Sequence, residues 1–379
     1  TQSMKKGCLG TAFFYKTTPQ KRPLMSRTFI NGLSCISAQP SFSGEFPNSF
    51  CENAKENILY AMEPPYKDYI PPAAIRRMSK SVKMGMVAAS EALKQAQLPL
   101  PQAILVGTGM GCLQDSEKFL KTLLDNQEQH LTPTAFIQST HNTVAGQIAI
   151  NLQCKGMNLT YVNGACSFES ALLEAKMHME QDQLQHILVG GIDEHSPHTT
   201  YLYELAGIIK DKATLPCPIL QPNTSGIRLG EGATFFALSD TCSEQTVAEL
   251  LNVEIRYNLA PNEIEAFVSH FLTQSGCALT DIDLVISGRG ENQEDRPFFD
   301  SFDNLFPSTP ILIYKHLSGE FFTASAIGMF IACKYNTLER LPSILQSYPE
   351  RQLPRPSQYI LLYNQYLGKE HSLVLLRKK

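Results

Sequence analysis

No two of the ten cysteines (positions 8, 35, 51, 112, 154, 166, 217, 242, 277 and 333) form a CxxC pair. That excludes the usual zinc-ribbon and dithiol redox signatures. Scattered single thiols in a chain of 379 residues fit a reducing cytoplasm better than a disulfide scaffold. An excess of positive charge is also missing: the formal net charge is -4 and the pI about 6.2, so nothing electrostatic points to nucleic acid. No apolar run approaches the ~20 residues of a membrane-spanning helix. Tryptophan is absent, and that absence excludes nothing.

What is present is an ordinary apolar content, 43%, enough for a substantial core. Lys5 and Lys6 precede a stretch from Cys8 to Tyr15 that resembles a signal peptide only superficially, because it is short, polar-spotted and lacks a small-x-small cleavage site. Residues 1–24 are expected to be an extension outside the fold.

From Met25 onward, strand, glycine turn and helix recur. Ala103 to Val106 runs into Gly107-Thr108-Gly109-Met110-Gly111, and Leu159 to Val162 runs through Asn163 and Gly164 to Cys166. His186 to Val189 leads to Gly190-Gly191, Ile282 to Ile286 to Gly288-Arg289-Gly290, and Ile311 to Tyr314 to Lys315 and Gly319. Val82, Met86, Ala89 and Leu93 share one helical face, as do Ile264, Phe267, Phe271 and Leu272. Strands alternating with amphipathic helices predict an α/β architecture. The units around Cys166 and Glu320 echo one another, which predicts two related halves, 25–243 and 244–379, dividing near Asp240 to Gln245.

The sharpest local signal is Asn163-Gly164-Ala165-Cys166-Ser167-Phe168-Glu169. A cysteine where a helix begins lies at the positive end of the macrodipole, which favours thiolate, and its own N–H is available to an oxyanion. A small buried filler is the competing reading of Cys166; residue types alone leave both open.

Gly164-Ala165-Cys166-Ser167 resembles the active-cysteine elbow of the β-ketoacyl-acyl-carrier-protein synthases, within the thiolase-like proteins. Four further segments resemble that family in the same order: Val106 to Gly111, Asn142 to Ala149, Gly230-Glu231-Gly232-Ala233, and Lys315 to Gly319 with the helix after it. The likeness runs from about Phe29 to Leu376. It implies a thiolase-like, five-layered αβαβα fold with two pseudo-equivalent halves. It also implies a dimer and acyl substrates carried on the phosphopantetheine of an acyl carrier protein, with no bound cofactor and no metal. Gly107 to Gly111 then reads as a structural turn, its spacing not being that of a dinucleotide loop.

The resemblance breaks where condensation needs hydrogen-bond donors. In the family two histidines serve the enolate formed by decarboxylation, and a lysine supports one of them. Lys315 matches the lysine, but Glu320 replaces the histidine that follows a glycine, and Ser287 stands where the His-Gly-Thr segment has its histidine. An ionised Glu320 only accepts hydrogen bonds and repels the malonyl carboxylate. His316, His141 and His371 read as surface or packing residues; on a strand, His316 would face away from Lys315. Tyr366, in Gln365-Tyr366-Leu367-Gly368, takes the place of the aromatic whose N–H is the second oxyanion donor beside Cys166. Arg76, Arg77 and Lys80 form a basic cluster on a predicted helix that is either a solvated face or a docking site for the acidic carrier protein.

Three functions fit these residues: a chain-length-factor-like partner of a complete synthase, with Cys166 still accepting an acyl group; an acyltransferase or hydrolase using Cys166 with Glu320; or an acyl-binding subunit without chemistry. The partner is expected to be the same chain or a complete synthase.

Overall fold

The computed structural model describes residues 27–42, 54–55, 57–98, 100–181, 184–211, 221–335, 346–348 and 358–379. The expected extension at 1–24, together with Cys8, Cys51 and Cys217, lies outside the described residues.

Short β-branched and apolar runs form the strands, and their alternation builds the layers. In the first half these are β1 (Thr28–Ile36), β2 (Ala103–Gly107), β3 (Met157–Tyr161), β4 (His186–Asp193) and β5 (Gly232–Ser239). In the second they are β6 (Ala248–Tyr257), β7 (Leu284–Ser287), β8 (Ile311–Ile313), β9 (Tyr359–Tyr366) and β10 (Glu370–Lys378). Their spatial order is 3-2-4-5-1 in the first half and 8-7-9-10-6 in the second, which is the same order twice. The senses match as well: β2 is parallel to β3 and β4, as β7 is to β8 and β9, and the remaining neighbours are antiparallel. The two sheets join where β1 meets β6 at Thr28↔Leu250, Phe29↔Glu249 and Ile30↔Ala248. A short strand, Gln346–Tyr348, adds to the outer edge of β8.

Six helices complete the layers: α1 (Lys80–Ala96), α2 (Thr143–Leu152), α3 (Ser167–Gln181), α4 (Ile264–Gln274), α5 (Arg296–Asp303) and α6 (Ser325–Tyr335). Successive strand residues point to opposite faces. Thus Ala103 and Leu105 join one core with α3 and α6, while Ile104 and Val106 join a second with α1 and α2. In the other sheet Ile360 and Leu362 point to the shared core, and Leu361 and Tyr363 to a third with α4 and α5. The sequence α1/α2, sheet, α3/α6, sheet, α4/α5 is the expected αβαβα stack. The middle layer is buried on every side, which is why α6 is apolar all round, with Ala326, Ile327 and Met329 to Cys333 in the core. Each such fully buried large side chain contributes roughly 1.5–3 kcal/mol. Phe168, Ala171, Leu172 and Ala175 of α3 are fully buried, as their spacing predicts.

Two local expectations are corrected. Gly190-Gly191 is not a turn but the interior of β4: a Cβ on Gly190 would stand 2.4 Å from the ring of Phe235, and one on Gly191 2.8 Å from Cβ of Thr323. Lys315 and His316 do not continue a strand, because Lys315–Ser318 coils into a helical turn after β8.

Candidate functional site

The elbow forms because β3 must reverse into the buried helix α3 within five residues. Gly164 takes φ +53, a left-handed conformation that suits glycine. The Asn163 N–H donates to Ser167 Oγ (2.8 Å), and Ser167 Oγ donates to the Gly164 carbonyl (2.7 Å). α3 then opens with the Ser170 N–H donating to the Cys166 carbonyl at 2.9 Å.

Cys166 is therefore where the sequence predicts, but its chemistry differs. Its residue exposure is 1%, and its Sγ lies 3.9 Å from the His371 carbonyl oxygen. Burial, then the carboxylates of Glu169 and Glu370, push the thiol far above its ordinary range. These exceed what a helix terminus returns, so the expected thiolate is replaced by a protonated thiol. The Cys166 N–H, expected to await an oxyanion, donates to the Asn163 carbonyl at 3.0 Å.

Lys315 stands in the second half's counterpart of the elbow, its side chain only 2% exposed and ion-paired to Glu320. Glu320 is held from the backbone: its N–H donates to Arg228 O (2.8 Å) and its carbonyl accepts from Gly230 N–H (2.9 Å). Burial raises the Glu320 carboxyl, and Lys315 opposes the rise. Two further buried carboxylates feel the same ammonium. Glu169 accepts from Ser372 Oγ at 2.7 Å, and Asp295 from Asn292 Nδ2 at 3.1 Å. Burial raises both.

Ser287 is fully buried at the end of β7, and its Oγ accepts the Arg289 N–H at 3.3 Å. Arg289 turns into Asp300 and Asp303, each at 2.7 Å. Tyr366 closes β9 opposite Glu370, its ring 5.4 Å from that of Phe322. His371 packs its ring against Tyr363 and Phe298, His141 is exposed, and His316 is half-buried on the helical turn.

The basic cluster is corrected. Arg76 and Arg77 are exposed beyond the four-residue helix Pro72–Ile75, whereas Lys80 begins α1 and pairs at 2.5 Å with the fully buried Glu231. Glu231 also accepts the Ala61 N–H at 3.0 Å, which ties the Gly230-Glu231-Gly232 segment into the fold. The Gly107 to Gly111 turn is likewise tied in. Asp193 accepts from Thr108 Oγ1 (3.1 Å) and Gly109 N–H (2.7 Å), and its other oxygen takes the Thr323 N–H and hydroxyl.

A narrow pocket opens beside this turn, walled by Met110, Leu113, His195, Tyr203, Phe322 and Tyr366 among others; Cys166 does not line it. A smaller one touches Arg228, Glu291, Asp295, Lys315 and Glu320. Among the described residues no group of three or more His, Cys, Asp or Glu could hold a metal ion, and no helix is long and apolar enough to cross a membrane. Sequence reasoning missed Glu169, Asp295 and Glu370. Glu169 was in view, three residues into the elbow helix, but Glu370 has no local signal.

Residues 27–241 match the family profile described as the N-terminal domain of β-ketoacyl synthase. The chain is similar to 3-oxoacyl-[acyl-carrier-protein] synthase 2 of Staphylococcus aureus, 24% identical over 198 residues, which is 50% of this chain and 49% of the relative. It thus spans about half the length of the curated relatives it matches. Among solved structures it is similar to the ishigamide ketosynthase/chain length factor (TM-score 0.73, 15% identity) and to a ketosynthase in complex with its chain length factor from Xenorhabdus doucetiae (0.71, 15%). These likenesses cover 94% and 95% of this chain and all of the other, and at such identity they speak for the fold alone. With more than half of its length matching the family profile, and the strand order of that fold repeated in both halves, the chain is a divergent member of the β-ketoacyl synthase family.

Proposed function

We propose that this protein is a non-condensing synthase subunit, which pairs with a complete β-ketoacyl synthase and helps shape its acyl channel. Acyl groups would arrive on the phosphopantetheine of an acyl carrier protein, in the cytoplasm, for fatty acid or polyketide (aryl-polyene type) synthesis. The observation that carries this reading is the Lys315–Glu320 ion pair, which puts a buried carboxylate where condensation calls for a neutral donor. Losing one such donor typically costs on the order of 100- to 1000-fold in rate, and Ser287 marks the loss of a second. Acylation of Cys166, expected from sequence, is opposed by burial of the thiol beside two carboxylates and by its N–H being already engaged.

Pairing is supported by the open side of β3. This strand has β2 on one edge and no partner on the other among the described residues. On and beside it Met157, Leu159 and the adjoining Val162 are exposed, as is Ile150 of the packed helix α2. An uncovered strand edge beside apolar side chains is the kind of surface that a second subunit covers. Exposed Arg76 and Arg77, without Lys80, remain the proposed contacts for the carrier protein.

The test is to supply acyl- and malonyl-carrier protein to the purified chain, alone and with a complete synthase, and to read carrier mass and native complex mass. The expected result is a one-to-one complex, with β-ketoacyl product only when the synthase is present. Product from this chain alone would overturn the proposal. One observation favours acyl transfer or hydrolysis instead: the Glu320 carboxyl, raised by burial, lines the smaller cavity. An acyl adduct on wild type that is absent from Cys166→Ala would support that second reading.

A further inference from the structure

The elbow already holds an anion of its own. The Ala165 N–H donates to Glu370 Oε2 at 2.5 Å, and a Cβ added to Gly164 would stand 2.3 Å from Oε1, so the carboxylate lies directly against the turn. One residue on, the His371 carbonyl covers Cys166 Sγ at 3.9 Å. Asn163 is fixed from the other side, its amide donating to the Tyr257 hydroxyl (2.6 Å) and to Ser170 Oγ (2.9 Å). Backbone N–H groups at a left-handed turn ahead of a helix form a concave seat for an anion. Here that seat is filled from β10, directly after the turn that follows Tyr366.

We propose that Glu370 is an autoinhibitory latch: its carboxylate occupies the amide seat of the elbow and holds Cys166 unreactive. Three elements bring ionisable groups to the thiol. Glu169 comes from α3, Glu370 from β10 and Tyr257 from β6, while Lys315 faces Glu169 from the other half. Both carboxylates raise the thiol, and only Glu370 also contacts the turn's backbone. Glu370 is thus a positioning residue, acting on Cys166 through charge and through the Ala165 amide. The inference rests on the family placement of Cys166 and is independent of the partner reading.

The experiment is iodoacetamide labelling of the full chain across pH, followed peptide by peptide, with exposed Cys242 and buried Cys35 as internal references. In wild type Cys166 is expected to react far more slowly than Cys242. Glu370→Gln keeps an acceptor for Ala165 but removes the charge. It should move the Cys166 profile to lower pH and raise its rate near pH 8 by about tenfold, the equivalent of one pKa unit. Glu370→Ala, which also vacates the seat, should raise it further. The latch is overturned if wild-type Cys166 reacts as fast as Cys242, or if neither variant changes rate or profile. It is also overturned if labelling rises equally at Cys35, which would mean general loosening. Failure of the partner reading would appear instead as condensation by this chain alone, a result the labelling does not touch.

Discussion

The start of α3 and the start of α6 are the same topological place in two halves of one fold, and they handle burial in opposite ways. Before α3 the polar group is a thiol beneath two carboxylates, Glu169 and Glu370, and it stays neutral. Before α6 it is an ammonium, Lys315, paired to Glu320 and facing Glu169 and Asp295. A buried polar group avoids the cost of a lone charge either by losing the charge or by pairing it. The first half takes one course and the second the other: the thiol stays neutral at one turn, and the ammonium is paired at the other.

The comparison breaks most easily at Lys315. Lys315→Met leaves Glu320 and its two acidic neighbours without their cation, and is expected to cost about 3–5 kcal/mol in urea unfolding. A loss under about 1 kcal/mol would mean the pair is not what holds the second turn. Lys80→Ala strands buried Glu231 in the same way, but Lys80 keeps 15% side-chain exposure, so about 2 kcal/mol is expected by the same measurement.

A pH series sharpens the neutral-versus-paired distinction. Burial raises the Glu194 carboxyl from its ordinary value to about 7 and Asp193 to about 6. The folded state therefore binds these protons more tightly than the unfolded chain does, and stability fully present below the ordinary values of 3.8 and 4.5 is lost as pH rises to the folded values of about 6 and 7. Tm should fall between about pH 4 and pH 7, and Glu194→Gln should reduce that fall. An unchanged fall would mean that Glu194 stays ionised throughout.

Cys166→Ala removes a neutral group and is expected to cost only about 1 kcal/mol in the same unfolding measurement. A loss near that of Lys315→Met would erase the contrast between the turns. Smallest of all, Arg77→Ala should stay within about 0.5 kcal/mol, because an exposed cation beyond a short helix holds nothing together.

Much of the fold was legible because period and composition report burial directly. The faces of α1 and α4, the apolar run of β2 and the turn after it, and the elbow at Gly164 all stand as read. The misreadings share a cause. Gly190 and Gly191 look like a turn in one dimension, yet they are small because Phe235 and Thr323 press on β4. Lys80 reads with Arg76 and Arg77 as one basic patch until the fold brings Glu231, 151 residues away, to its ammonium.

By itself the sequence determined the layered class, the place of Cys166 at a helix start and the counterpart place of Lys315. These follow from side-chain type and short-range spacing. Only the tertiary structure decided the state of those groups. Whether Cys166 is thiolate or thiol depends first on its burial, then on Glu169 and on Glu370, which is 204 positions away along the chain but directly against its elbow. Local pattern specifies where a reactive group sits, whereas its charge follows from burial and from the fields of residues that only folding brings near.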